Sequence, residues 1–333
     1  MHDFRNAVIA GIAVAVSACS SSSFNSSWMS DNSNKFAAKK INQVLIPGSH
    51  FSNAYNLIDN KDLNICVGET INNSLSTNAK IATLVTENEV IPQNDFTSYL
   101  NTQENNIHDQ LNSGIRYLEL QICLQNEVYY TSNYYLTDSL DLIVKQIKDF
   151  MNDNPQEIIF IDLDNNLRSE NGQMSENDIN NLHNYLQMAF GSSITPKQDW
   201  QELTFKKLWN TKHRIILLSS NPMLTHYYDV LNKSEVIASN SVAYYTTIKK
   251  LTAIQEQLTL PNDSKNNLVI TPIYNWFDPE SNSITQIETL NNDHLIFDYL
   301  STIPESSPLN IIVGDRSYNN QLVDYTIRVN SQR

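Results

Sequence analysis

Four strand-like segments of this sequence each end in a side chain of a type used in catalysis or ligand binding. His50 follows the first segment, Glu119 lies near the end of the second, Asp162 and Asp164 end a third, and Asp315 ends the last. An imidazole titrates near neutral pH, and carboxylates bind protons, hydroxyls or cations. Each residue alone could simply begin a solvated loop, but four such ends together indicate a site.

The segments that would position these residues alternate with helical ones. Several are apolar on both faces, for example 158–161 and 215–218, as in strands buried between layers. Strands are predicted over residues 44–46, 115–122, 128–131, 157–164, 214–220, 242–247, 267–274 and 310–315. The alternation predicts an α/β fold, a (β/α) TIM-type barrel in one domain, with a doubly wound open sheet as the alternative. In such a barrel the active site lies at the carboxyl ends of the strands.

Local patterns add three expectations. Period-two alternation in 115–122 places Tyr117, Glu119 and Gln121 on one face of the second strand. An amphipathic helix is predicted over 138–153, with Thr137 as its N-cap. Residues 51–106 are rich in Asn and weakly periodic, which predicts a long insertion after the first strand with helix around 97–113.

Composition and motifs exclude several function classes. The 22 Lys and Arg residues against 36 Asp and Glu residues give a net charge of −14, which argues against binding to nucleic acid. The sequence has no G-x-G-x-x-G turn, P-loop, G-x-S-x-G elbow, C-x-x-C pair or H-E-x-x-H motif. The sequence therefore lacks the usual motifs of proteins that bind dinucleotides or nucleotides, of serine hydrolases and of zinc sites.

The amino terminus resembles a bacterial lipoprotein signal. An apolar run from Ala7 to Val16 follows Arg5 and is shorter than the about 20 residues of a membrane-spanning helix. It ends in Val-Ser-Ala-Cys, a lipobox-like sequence that makes Cys19 the predicted lipidation site. We expect a signal peptide over 1–18, a Ser-rich tether over 19–27 and the barrel over 28–333, on a lipid-anchored or secreted protein of a bacterial cell envelope. An ordinary signal peptide cut near Ala18 is the alternative.

Two further cysteines, Cys66 and Cys123, would then lie in an oxidising compartment. They could form a disulfide, or Cys123 could be a small buried apolar residue at the end of a strand. The sequence leaves both open.

Five short segments form an ordered set along the chain. They are Ile46-Pro47-Gly48-Ser49-His50, then 107–111, 114–120, 150–159 and 310–315. In this order they resemble the X-domain family of phosphatidylinositol-specific phospholipase C, whose first motif reads Ile-Pro-Gly-Thr-His. The resemblance covers nearly the whole chain after the tether. It implies a barrel that cleaves a phosphodiester by attack of a neighbouring inositol hydroxyl.

The resemblance also implies roles for individual residues. His50 corresponds to the general base, Glu119 to the acid of the second strand and Asp315 to the carboxylate that orients the base. Gln121 and Asp164 fall at family positions expected to contact substrate or metal, and Arg168, beyond the strand that ends in Asp164, is a further candidate to contact substrate. Glu119 and Asp164 also correspond to carboxylates that bind Ca²⁺ in the calcium-dependent members of the family, which makes Ca²⁺ a possible cofactor here.

Three positions depart from the family pattern. Phe51 follows His50 where Asp or Asn is usual, and Gln121 stands where Arg or Asp is usual. The segment 129–133 contains Thr131 and Ser132 but no second histidine to protonate the leaving group. A hydroxyl cannot replace that group, because its pKa lies far above 7. His226, Arg168 and Arg316 could reach the same rim, although exposed charges are the commoner reading.

The sequence thus supports two functions of different classes. The first is a phosphodiesterase of the phospholipase C type acting on a phosphoinositide or related phosphodiester, held at a membrane by its N-terminal lipid. The second is an impaired enzyme that binds a polyol phosphate, a glycan or a protein. A glycerophosphodiesterase is less well supported, because Phe51 replaces the arginine expected beside His50.

Overall fold

We analysed a computed structural model of the chain. The structure describes residues 25–57, 66, 100–133, 135–163, 167–198, 200–236, 251, 252, 254, 255, 258, 267–274, 295–304, 307, 309–316 and 319–333. Several predictions lie outside these ranges: the signal peptide over 1–18, Cys19, Asp164 and the strand over 242–247. Within the described ranges, no helix has the length and apolar character needed to cross a membrane.

Strands and helices alternate through most of the chain. The strands are β1 Ile46–Ser49, β2 Tyr117–Leu120, β3 Ile122–Gln125, β4 Val128–Asn133, β5 Tyr135–Ser139, β6 Ile159–Leu163, β7 Arg168–Ser169, β8 Gly172–Gln173, β9 Ile215–Ser219, β10 Val230–Asn232, β11 Ile270–Pro272 and β12 Ile311–Gly314. The helices are α1 Trp28–Asp31, α2 Ser33–Phe36, α3 Ile107–Ser113, α4 Leu140–Asp153, α5 Glu176–Phe190, α6 Phe205–Thr211, α7 Pro222–Thr225, α8 Lys233–Val236, α9 Leu295–Thr302 and α10 Asn319–Gln332.

The main sheet has seven strands in the order β10-β9-β6-β2-β1-β12-β11, and every neighbouring pair is parallel. It curls into a half-barrel, so the predicted α/β class and TIM-type architecture are confirmed. In the part of the chain that the structure describes, no ladder joins β10 to β11. No strand of either sheet is described between β1 and β2, where the sequence predicts the long insertion, and helix α3 lies there.

Alternating residues of the sheet face two different cores. On the concave face, Tyr117, Phe160 and Ile216 pack with residues of the short N-terminal helices. On the convex face, Leu118 and Ile161 pack against α3, α4 and α5. Burying both faces explains why these strands are almost continuously apolar in sequence.

A second, five-stranded sheet contains two segments that the sequence assigns to the barrel. Its order is β5-β4-β3-β7-β8. The predicted third barrel strand, 128–131, pairs antiparallel with β3 instead, because Asn126 and Glu127 both adopt positive φ (50° and 62°) and form a two-residue hairpin turn. The predicted strand over 115–122 is likewise two strands that part at Gln121, so the alternation argument fails at that residue.

The N-cap of α4 is Ser139 and not Thr137. The Ser139 side chain accepts a hydrogen bond from the backbone N–H of Leu142. Thr137 belongs to β5, and its hydroxyl is bonded to that of Thr131 on β4. The hairpin strand therefore continues two residues further than the sequence pattern indicates.

A buried ion pair closes the amino-terminal end of the main sheet. Arg116, directly before β2, contacts Glu157 at 2.8 Å, and both side chains are fully buried. The guanidinium also donates to the backbone carbonyls of Asn25 and Ser26. The last residues of the predicted tether, 25–27, are therefore packed against the folded body.

Cys66 and Cys123 form a disulfide, with their Cα atoms 6.1 Å apart. The bond joins β3 of the second sheet to the segment that follows β1. This settles the pairing that the sequence leaves open.

Candidate active site

His50 and Asp315 come together at the carboxyl ends of adjacent strands. His50 directly follows β1 and Asp315 directly follows β12, which pairs with β1 in register. His50 Nδ1 lies 2.9 Å from Asp315 Oδ1. When Nδ1 donates to the carboxylate, Nε2 is the nitrogen that carries the lone pair, which is the tautomer a general base needs.

Two aromatic rings cover the imidazole. Tyr274, just after β11, stacks on His50 with ring centroids 3.6 Å apart and an interplanar angle of 6°. The ring of Phe51 lies 4.2 Å from that of His50. His50 is 5% exposed. The stacked rings and the carboxylate leave the imidazole little freedom to rotate.

Phe51 itself has a strained backbone. Its φ of 36° lies in the left-handed region, which is unfavourable for a bulky residue. The turn is held from the other side of the insertion, since the His50 carbonyl accepts hydrogen bonds from Thr102 Oγ1 and Gln103 Nε2. These contacts fix the direction in which the chain leaves β1.

Glu119 is tied to this same turn. Its backbone N–H donates to Ser52 Oγ at 2.9 Å, and its carbonyl accepts from the Ser52 N–H at 2.8 Å. Glu119 is in register with Asp162 on β6, so their side chains share the concave face with Tyr117 two residues earlier. The structure thus brings Glu119 to the rim beside His50.

Asp162 is the centre of a second polar cluster on the concave face. It is fully buried, and its Oδ2 accepts hydrogen bonds from the hydroxyl of Tyr117 and from Lys233 Nζ. Burial and the Asp162 carboxylate hold the pKa of Tyr117 well above its usual value, so this phenol remains a donor. Gly48 allows the Tyr117 ring to approach β1, because a Cβ there would lie 2.8 Å from Tyr117 Cδ1.

The remaining predicted site residues have no described contact with His50, Glu119 or Asp315, or they lie outside the described residues. Gln121 is buried where the chain leaves the main sheet, and its carbonyl accepts from the Ser132 N–H. Arg168 lies in β7 of the second sheet, where it pairs with Cys123 on β3. Asp164 is outside the described residues.

Two hydroxyl residues, Thr131 and Ser132, occupy the segment where a second histidine is expected. Thr131 Oγ1 bonds to Thr137 Oγ1 and to the carbonyl of Asp138. Ser132 is fully buried. His226 ends the short helix α7 beyond β9 and is exposed, and Arg316 follows Asp315.

A calcium site is incomplete in the described part of the chain. No group of three or more His, Cys, Asp or Glu side chains there is arranged to hold a metal ion. Glu119 is present, but its neighbour Asp162 is engaged with Lys233 and Tyr117. Asp164, the other predicted Ca²⁺ ligand, lies outside the described residues.

Two site residues were not predicted from the sequence, Tyr274 and Lys233. Tyr274 ends the predicted strand 267–274, so its place at a strand end could have signalled the rim. Lys233 directly follows a three-residue strand that was not predicted at all. It carries no sequence signal beyond its charge.

Comparison with known proteins identifies relatives of part of the chain. Residues 83–221 match the family model for the X domain of phosphatidylinositol-specific phospholipase C. PI-PLC X domain-containing protein 3 of Danio rerio is 24% identical over 201 residues, and the match spans 59% of this chain but only 58% of the relative. PI-PLC X domain-containing protein 2 of Homo sapiens is 24% identical over 258 residues, covering 74% of this chain and 78% of the relative.

Solved structures share the fold over nearly the whole chain. The phosphatidylinositol-specific phospholipase C of Listeria monocytogenes aligns with a TM-score of 0.56 at 19% identity, covering 92% of this chain and 98% of that one. The Staphylococcus aureus enzyme aligns with a TM-score of 0.59 at 16% identity, with coverage of 92% and 98%. Over residues 83–221 this chain is therefore similar to the X domain of phosphatidylinositol-specific phospholipase C, and it shares the barrel-type fold of the bacterial phospholipases.

Proposed function

We propose that this protein is a phosphodiesterase of the phospholipase C type that acts on a phosphoinositide or a related phosphodiester headgroup. The observation that carries the proposal is the 2.9 Å contact between His50 Nδ1 and Asp315 Oδ1 at the ends of β1 and β12. His50 is the general base, Asp315 positions it, and Glu119 binds a substrate hydroxyl at the same rim.

The reaction begins when His50 Nε2 takes the proton from a headgroup hydroxyl next to the phosphate. That oxygen attacks phosphorus, the bond from phosphorus to the diacylglycerol oxygen breaks, and the leaving oxygen takes a proton from solvent water. Thr131 and Ser132 cannot supply this proton. A missing acid costs about 10²–10⁴-fold in rate, so a slow enzyme is expected.

The proposal is tested by turnover of the purified chain from residue 25 onward on vesicles that differ only in headgroup. Phosphatidylinositol should be cleaved, and phosphatidylcholine should not. Each assay is run with added Ca²⁺ and with a chelator, which also decides whether Ca²⁺ is a cofactor. No cleavage of any headgroup under either condition would contradict the proposal.

A binding protein for a polyol phosphate, a glycan or a protein is the second candidate. It is favoured by one observation: the hydroxyl of Thr131, where the second acid–base group is expected, is bonded to Thr137 and to backbone. Such a protein would bind a soluble headgroup phosphate with the same affinity in wild type and His50→Asn while cleaving no phospholipid.

We also propose that the protein is exported and held at a bacterial membrane through Cys19. The lipobox-like sequence supports this, and so does the Cys66–Cys123 disulfide, since disulfides persist in oxidising compartments. Labelling with a fatty-acid analogue in a bacterial host should mark wild type and not Cys19→Ala. Equal labelling of both would contradict lipidation at Cys19.

A further inference from the structure

Lys233 extends over the concave face of the sheet. It directly follows β10, and its Nζ lies 2.5 Å from Asp162 Oδ2 on β6. Strand β9 lies between β10 and β6, so this contact crosses one whole strand. The side chain of Lys233 is 28% exposed and that of Asp162 is 0% exposed. The side chain of Lys233 is thus partly exposed to solvent and is anchored through its ammonium group to a buried carboxylate.

Lys233 is also well placed relative to His50. Among the described residues that immediately follow a strand of the main sheet, Lys233 is the one with a permanent positive charge. Its strand lies on one side of β2 in the sheet, and β1, β12 and β11, which carry His50, Asp315 and Tyr274, lie on the other. Glu119 on β2 is between them. A ligand seated at Glu119 would have the imidazole on one side and the ammonium on the other.

The buried carboxylate gives an independent sign of a ligand. Asp162 Oδ1 is buried and has no hydrogen-bond partner among the described residues. An unsatisfied buried carboxylate oxygen is costly, so a ligand hydroxyl that donates to it is favoured, and a polyol headgroup beside the phosphate would supply one.

We propose that Lys233 is the cation that binds the phosphate oxygens of the substrate, with Asp162 as its positioning residue. The inference rests on the proposed function and assigns to Lys233 the charge that Gln121 cannot supply. A lysine ammonium group is a poor proton donor near neutral pH, so its contribution is electrostatic. The ammonium group of Lys233 donates hydrogen bonds to a phosphate oxygen, whose negative charge increases as the headgroup hydroxyl attacks phosphorus.

The test uses isothermal titration calorimetry to compare the affinities of the purified chain for two soluble probes, myo-inositol 1-phosphate and myo-inositol. Wild type should bind the phosphorylated probe more tightly. Lys233→Met should lose about tenfold or more of that preference, whereas Lys233→Arg should keep most of it. Asp162→Asn should lose part of the preference, because the ammonium group is then no longer held in place.

Lys145→Met is the matched control, because Lys145 also forms an ion pair, with Asp149, but on the exposed surface of α4. It should leave the preference unchanged. Lys233→Met leaves the buried Asp162 carboxylate without its cation. If that variant fails to fold, the double variant Asp162→Asn with Lys233→Met removes this charge and should show the same loss of preference for the phosphorylated probe.

The inference is overturned if wild type shows no preference for the phosphorylated probe, or if the Lys233 variants keep the preference of wild type. Phospholipid turnover is measured separately. A phosphate preference that depends on Lys233, in a protein that cleaves no phospholipid, would uphold this inference while rejecting the phosphodiesterase.

Discussion

Asp315 Oδ1 lies 2.9 Å from His50 Nδ1, although the two residues are 265 positions apart in the sequence. The contact joins the ends of the first and last strands of the parallel sheet, which are paired in register. The fold therefore assembles the pair of His50 and Asp315 where the first and last strands in chain order lie side by side in the sheet. Tyr274 then stacks on the imidazole from the next strand, β11.

Asp315→Asn should lower kcat by about 10²-fold with little change in KM, because the amide no longer fixes the tautomer and orientation of His50. Steady-state kinetics on phosphatidylinositol vesicles measure both constants. The matched control is Asp229→Asn, which removes an equivalent carboxylate from His183 in the helical layer. A loss of the same size in both variants would mean that Asp315 acts only through stability.

Glu157→Gln should lower the free energy of unfolding by about 3–5 kcal/mol, because it leaves the buried Arg116 guanidinium without its counter-ion. Burial already lowers the pKa of Arg116, and Glu157 opposes that shift. Urea unfolding measures the change. Asp149→Asn, which breaks the exposed pair with Lys145, should cost less than about 1 kcal/mol. Similar costs for both would contradict a structural role for the buried pair.

Reduction of the Cys66–Cys123 disulfide should lower the free energy of unfolding by about 2–4 kcal/mol, because the bond closes a long loop, with a separation of 57 residues. Denaturation with and without a reductant measures this. The double variant Cys66→Ser with Cys123→Ser should unfold like the reduced protein and ignore the reductant. A wild-type curve that does not respond to reductant would contradict the prediction.

Ionisation of the Tyr129 hydroxyl should lower the stability of the fold at alkaline pH. Burial, and then Asp178, raise its pKa from 10.0 to about 12, and its hydroxyl donates to the Asp178 carbonyl. Because the folded-state value is the higher one, this stabilisation is complete below pH about 10 and is lost as the pH rises through about 12. Phenolate absorbance of wild type minus that of Tyr129→Phe should show the transition near pH 12. A difference centred at pH 10 or lower would contradict it.

The strands buried on both faces could be predicted well from sequence. Residues 157–164 and 214–220 contain β6 and β9, because burial between layers leaves a continuous apolar run. His50 and Asp315 could also be placed, since they end such runs. The hairpin at Asn126 and Glu127 could not, because positive φ at a glutamate has no reliable sequence signal.

Side-chain contacts that cross strands were equally hidden. Lys233 reaches Asp162 across β9, and no periodicity in the sequence reports such a contact. The Cys66–Cys123 bond also depends on a Cα separation that composition cannot give.

His183 offers the sharpest control for the central claim. It repeats the surroundings of His50, with a carboxylate, Asp229, at 2.9 Å and a stacked tyrosine, Tyr227, at 3.6 Å. However, it lies on α5 and not at a strand end. Substitution at either position removes a comparable buried pair, so the two variants differ mainly in whether the lost imidazole is at the rim.

The most direct measurement is the rate of headgroup phosphate release from phosphatidylinositol vesicles by wild type, His50→Asn and His183→Asn, at a temperature where all three are folded. His50→Asn should lose about 10²-fold or more, and His183→Asn should retain the wild-type rate. Release by His50→Asn at the wild-type rate would contradict the assignment of His50 as the general base.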